Sequence, residues 1–312
     1  MGNVSLALLK ARKRTETRKC LVFGISVKEK RRRLKELRRV MFVRRRNQKE
    51  SFRKLNNEEL AILEEAVRGH EKRGRLQVLD RGNEFLAPLY EVVRHNHIVG
   101  EERLSPWQFR NAAEQIADVI LQYLLKKESF VPRKTVLLIP WRAGLAFSEA
   151  AKHCGFEHFY HLGARRNEET LETEIYFEEM PEICRNVLEA NQKLRAVIAD
   201  PMLATGNTVV TAIFRLQALG ILEKNIRVVS VVSSPEGVDH VLSLFPKVRI
   251  IVGSHDECLD RKGYIEPGLG DFGDRYFVGV QPGTIACWKT LGILTDHSHN
   301  RLLKRMGKKA SK

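Results

Sequence analysis

Residues Val197 to Thr208, VIADPMLATGNT, constrain this chain more than any other stretch. An apolar run from Leu194 to Ala199 reads as a buried strand, a loop of small residues follows, and a helical pattern runs from Val209 to Leu219, closed by Gly220. Strand, loop and helix in that order place unpaired backbone amides at a helix N-terminus, where the N–H groups and the helix dipole both favour a phosphate. Asp200 stands at the strand's C-terminal end, the side of an open α/β sheet on which ligands bind. Ala204, Thr205 and Gly206 let the backbone close on an anion, and Thr205 and Thr208 offer hydroxyl donors. Taken alone, the segment is equally compatible with an ordinary strand-to-helix turn carrying a capping Thr.

The surrounding chain repeats the alternation. Asn56 with Glu59 three places on forms a capping box for a helix through Leu60, Leu63 and Val67. Phe109, Ala113, Ile116, Ile120 and Leu124 recur at helical spacing within Pro106 to Lys126. Apolar runs at Val136 to Pro140, Val228 to Val232 and Val248 to Val252 read as buried strands. Strands alternating with helices predict an α/β fold with a mainly parallel, doubly wound sheet. Arg142, beside Gly144 after the strand at Val136 to Pro140, is a surface residue or part of an anion-binding loop. Gly163 to Glu172, GARRNEETLE, reads most simply as a solvated charged turn. Gly263 to Gly279 holds five glycines and a proline in seventeen residues, so it is expected to lack regular structure and to form a shaped binding loop.

Charge divides the 312 residues into parts. Residues 1–57 carry 20 Lys and Arg against 4 acids, a net of +16 that equals the formal charge of the whole chain. Residues 301–312 add 6 basic residues and no acid, which leaves the centre at −6. We therefore expect a basic N-terminal extension (1–57), a globular domain (58–280) and a C-terminal extension with a basic tail (281–312). Leu34, Leu37 and Met41 could stripe a basic helix that orders only against a partner. The arm reads as an organelle address, mitochondrial or other, as an RNA-binding arm, or as a solvated extension of a cytoplasmic protein. The five cysteines lie far apart with no CxxC pair, which argues against a zinc site and a disulfide framework. No apolar run approaches the length of a membrane span, and no membrane partner is expected.

In order and spacing, five segments resemble the uracil phosphoribosyltransferase family: RAGL at Arg142 to Leu145, RNEETLE at Arg166 to Glu172, DPMLATG at Asp200 to Gly206, SPEG at Ser234 to Gly237, and GYIEPGLGDFGDRYF at Gly263 to Phe277. The resemblance implies a phosphoribosyltransferase-type sheet with a small hood. It implies transfer of ribose 5-phosphate from phosphoribosyl pyrophosphate (PRPP) to N1 of uracil, giving UMP and pyrophosphate in pyrimidine salvage. Leu203, Ala204, Thr205, Gly206, Asn207 and Thr208 would hold the 5′-phosphate, with Asp200 toward the ribose hydroxyls. Arg142 and Arg166 match the arginines that face pyrophosphate. Tyr264, Ile265, Gly270 and Phe272 would form the base pocket, with the backbone of Ile265 and Gly270 reading uracil's carbonyls and N3–H. Asp271 matches the carboxylate near base and Mg²⁺, the metal being held mainly by PRPP. Asp200, Asp271 and Arg166 would be the catalytic set, and family members are commonly homodimers or larger homo-oligomers.

Such chemistry builds positive charge on the ribose and negative charge on the leaving group, which suits carboxylates beside the sugar and Arg with Mg²⁺ around pyrophosphate. Two departures stand out. Asn207 replaces the second Gly of the family's ATGG, and Trp141 alone separates Pro140 from Arg142 where two residues are usual. Uncompensated, the lost residue would displace Arg142 by about 3.5 Å. That displacement and the +16 arm define an alternative function: a transferase fold with little or no turnover, binding RNA in a particle such as an organellar ribosome.

Overall fold

The computed structural model describes residues 32–35, 54–94, 105–166, 173–185 and 194–277. The C-terminal extension, most of the basic arm and residues 167–172 lie outside them.

After a helical turn at residues 32–35 come α1 (Asn57–Lys72), β1 (Leu76–Val78), α2 (Leu86–Arg94) and α3 (Pro106–Lys127). Next come β2 (Thr135–Trp141), a 3₁₀ turn (Ala143–Phe147), α4 (Ser148–His153), β3 (His158–Arg166), β4 (Thr173–Glu179) and α5 (Glu182–Arg185). The second half holds β5 (Arg195–Ala199), β6 (Met202–Leu203), α6 (Asn207–Ala218), β7 (Ile226–Ser233), α7 (Pro235–Leu244) and β8 (Arg249–His255). It closes with the short strands β9 (Cys258–Leu259) and β10 (Ile265–Glu266) and with α8 (Phe272–Phe277).

The main sheet runs β1-β8-β7-β5-β2-β3-β4, with β6 added beside β7. Every pairing is parallel except β3 with β4. The strands are apolar on both sides because helices cover both faces. Leu137, Ile139, Val197, Val229 and Ile251 point into one core with α2, α3 and α8. Val136, Leu138, Ile198, Val228 and Ile250 point into the other with α6 and α7. This is the expected doubly wound α/β arrangement, and alternation of strand residues between two cores fixes its register.

Local signals account for the helix starts. Asn56 Oδ1 accepts from Glu59 N while Glu59 Oε2 accepts from Asn56 N, both at 2.9 Å, closing the capping box read from the sequence. Ser105 and Gln108 do the same for α3, with Pro106 in its first turn.

Two expectations need correction. Gly263 to Gly279 is not wholly irregular: β10 pairs antiparallel with β9, and α8 follows. The helix forms there because Asp271 Oδ1 accepts from Asp274 N at 2.8 Å, which caps its first turn. Gly163 to Arg166 is no solvated turn either but the end of β3, paired with Thr173 to Phe177. Of the proposed arm stripe, Leu34 lies in a helical turn and packs with Leu55, Leu60, Leu63 and Cys258, so its partner is the body of the protein itself. Leu37 and Met41 fall outside the described residues.

Candidate active site

A crevice opens at the C-terminal ends of β2 and β5, where the connections of neighbouring strands diverge to opposite faces. It holds a cavity of about 370 Å³. Trp141, Arg142 and Ala143 form one wall, Ala164 and Tyr176 of the β3–β4 hairpin a second, Met202 and Ala204 a third. The fourth wall is the glycine-rich segment, through Gly263, Tyr264, Ile265 and the run Gly270 to Gly273.

The loop after β5 is shaped by its neighbour, α7. Ser234 Oγ donates to Ala204 O at 2.7 Å and accepts from Gly237 N at 3.1 Å, while Ser234 N donates to Leu203 O at 3.0 Å. His240 Nδ1 lies 2.8 Å from Thr205 O. Three consecutive loop carbonyls are thus engaged by α7 and its cap. Gly237 is required here, since a Cβ would collide with the backbone of Ala204 and Leu203. Gly206, the N-cap of α6, has φ +80° and lies close enough to Gly237 that a side chain would be both strained and crowded. SPEG, a family marker without an assigned role at the sequence level, is therefore the clamp of the loop. Its signal was the cap motif Ser-Pro-x-Gly, but nothing in the sequence names what Ser234 reaches for.

Asp200 closes β5 from below this loop. It is buried, and its carboxylate accepts one long hydrogen bond, from Met202 N to Oδ1 at 3.5 Å. Desolvation pushes its carboxyl up to about 7, against a small opposing effect from that amide. Asp200, Leu203 and Thr205 to Thr208 are not on the cavity wall. Leu203 is buried in the sheet core, so only its backbone could serve a ligand. The two loops nevertheless adjoin: the Cβ position of Gly263 is 3.7 Å from Thr205 Cγ2.

Arg142 faces the cavity. The Trp141–Arg142 peptide is cis. Trp141 is the last residue of β2, in register with Gly163, and its buried indole packs at 4.7 Å from Phe177 and donates to His161 Nδ1 at 3.1 Å. β2 thus runs one residue past Pro140 to Trp141, and Arg142 directly after it stands on the cavity wall. Its guanidinium donates to Asp274 Oδ1 at 2.8 Å and lies 5.5 Å over Phe277.

In the glycine-rich segment, Asp260 Oδ1 accepts from both Lys262 N and Tyr264 N, which folds the turn that presents Tyr264, 42% exposed, at the cavity mouth. Phe272 contributes a wall and not an open ring: it stacks on Tyr276 at 5.8 Å and meets Phe109 edge-on at 5.3 Å. The backbone of β3 at Arg166 is described, whereas its side chain is not. Of the residues singled out from the sequence, the cavity gathers Arg142, Ala204, Tyr264, Ile265, Gly270, Asp271 and Phe272. Asp274, on Arg142, was not singled out.

Among known proteins, the family model described as uracil phosphoribosyltransferase matches residues 93–279. A uracil phosphoribosyltransferase of Nicotiana tabacum is 38% identical over 148 residues, 47% of this chain and 63% of its own length. That of Aquifex aeolicus is 38% identical over 159 residues, 49% of this chain and 69% of its own. The match therefore spans about two thirds of these relatives. A solved structure of an Aquifex aeolicus protein superposes with a TM-score of 0.53 at 30% identity, covering 65% of this chain and 98% of that one.

Proposed function

Since the chain belongs to the uracil phosphoribosyltransferase family, we propose that it transfers ribose 5-phosphate from PRPP to N1 of uracil, releasing pyrophosphate. One observation carries the reading: a single cavity is bounded by the loop after β5, by the Arg142 loop and by the main chain of the glycine-rich segment.

PRPP would lie with its 5′-phosphate on the amides of Thr205 to Thr208 at the start of α6 and its pyrophosphate toward Arg142. Arg142 would exchange its bond to Asp274 for the leaving group, and Asp274 keeps the guanidinium oriented until then. Asp200, once ionised, accepts hydrogen bonds from ribose hydroxyls and favours the positive charge that develops as the C1′–O bond breaks. The backbone of Ile265 and Gly270 offers uracil a fixed order of donors and acceptors. Cytosine, with the reverse order at two positions, would leave those groups unpaired.

Among the described residues no three His, Cys, Asp or Glu side chains gather into a metal site. Mg²⁺ would be held mainly by PRPP oxygens, with Asp271, the one carboxylate among the described residues of the cavity wall, as its protein contact. Mg²⁺ would supply charge neutralisation on the pyrophosphate. We read the protein as a homo-oligomer and the basic arm as an organelle address, checked by sedimentation and by a fluorescent fusion. The alternative without turnover rests on the shortened loop and the basic arm; Arg142 nevertheless lies on the cavity wall, and the arm is almost wholly outside the described residues.

Purified protein with uracil, PRPP and Mg²⁺ is expected to release pyrophosphate in step with UMP. Absence of both products across pH and Mg²⁺ concentration would sink the proposal.

A further inference from the structure

The main chain assigned to the base is held from outside the cavity. Between β10 and Gly270 runs the short turn Pro267 to Leu269, and two of its polar backbone groups are gripped by side chains from elsewhere in the fold. Gly268 N donates to Asp256 Oδ2 at 2.8 Å, while Asp256 Oδ1 accepts from Arg94 Nη2 at 2.5 Å and from Ser254 Oγ at 3.3 Å. Leu269 O accepts from Arg275 Nη1 at 2.6 Å, and that same nitrogen donates to Val93 O at 2.5 Å. Both grips lead back to the last turn of α2, Val93 and Arg94. Arg275 is further seated 4.1 Å over the ring of Phe109, and the side chain of Asp256 is only 2% exposed. Neither residue is on the cavity wall.

We propose that Asp256 and Arg275 are positioning residues that set the base specificity of the site, by fixing the turn between Ile265 and Gly270 against the end of α2. The inference rests on the uracil reading given above. Its physical content is geometric: backbone recognition discriminates only if donors and acceptors stay within a few tenths of an ångström of their places, and this turn has no side-chain anchor of its own between Pro267 and Gly270 beyond Leu269. Loss of either grip lets the turn drift while the loop after β5, clamped separately by Ser234, keeps its shape. The effect should therefore fall on the base and spare PRPP.

The test uses the full chain with steady-state kinetics and isothermal titration of uracil and PRPP. Asp256→Ala and Arg275→Lys are expected to raise KM for uracil about tenfold while KM for PRPP stays within about twofold, and to narrow the preference for uracil over cytosine. Asp256→Asn, which keeps an acceptor for Gly268 N, should recover part of the loss. Thermal melts identify any variant that fails to fold; should Asp256→Ala be one, Arg275→Lys, which retains the cation over Phe109, reads the same split. Equal rises in both KM values, or a fall in kcat alone, would mean general loosening and overturn the assignment. A parent protein that binds neither uracil nor PRPP would sink the transferase reading and this inference with it. A parent that binds both, with variants binding uracil equally well, would overturn the positioning role alone.

Discussion

Asp200 loses its hydration on folding and regains one long bond from Met202 N, which is why its carboxyl sits near 7 and not near 4. Between those two values the folded state binds the proton that the unfolded state has released, so this group makes stability fall as pH rises, with the full penalty present above about 7. Asp200→Asn removes the ionisable group. The variant should be more stable than the parent by a margin that grows from pH ~4 to ~7 and then levels, reaching on the order of a few kcal/mol, read from denaturant melts at each pH. The same variant should lose most uracil transfer. In the parent, kcat/KM for PRPP should rise through about pH 7 as Asp200 ionises, whereas residual activity of the variant should lack that step.

The element that repays a similar test is the first turn of α7. Ser234 caps that helix through Gly237 N and holds Ala204 O with the same hydroxyl, so one side chain serves both a helix and the loop beside it. Ser234→Ala should cost about 1–2 kcal/mol of stability and raise KM for PRPP more than KM for uracil, the opposite split to that expected for Asp256. Where packing alone is at stake, as at Ile120 of α3 in the core against the sheet, Ile120→Ala should cost about 2–5 kcal/mol and lower the melting temperature with both KM values unchanged. Two elements, α2 and α7, thus hold the site's loops without contributing any of the ligand-binding residues singled out from the sequence.

Across the whole molecule, burial sets the response to acid. His255 is pushed down to about 4 by desolvation, with the positive charge of Arg81 adding to it, and desolvation also lowers His240. A depressed imidazole is neutral in the fold and protonated in the unfolded chain below its ordinary 6.5, so its contribution to stability is lost as pH falls from there toward about 4. In the parent this slope is opposed by Asp200 across nearly the same range. Stability of the Asp200→Asn variant should therefore fall more steeply on acidification than that of the parent, as melts between about pH 4 and 7 would show. The sequence by itself determined the four central strands β2, β5, β7 and β8, the capped start of α1, the periodic helix α3 and the doubly wound class, because periodicity and capping boxes act over a few residues. It also displayed the missing residue before Arg142. Only the tertiary structure decided that Trp141 would extend β2 and leave Arg142 on the cavity, that Ser234 would grip Ala204, and that Asp256 and Arg275 would meet on one turn. Those are contacts between residues far apart in the chain, and which distant groups share a bond depends on how sheet and helices pack, something no local pattern encodes.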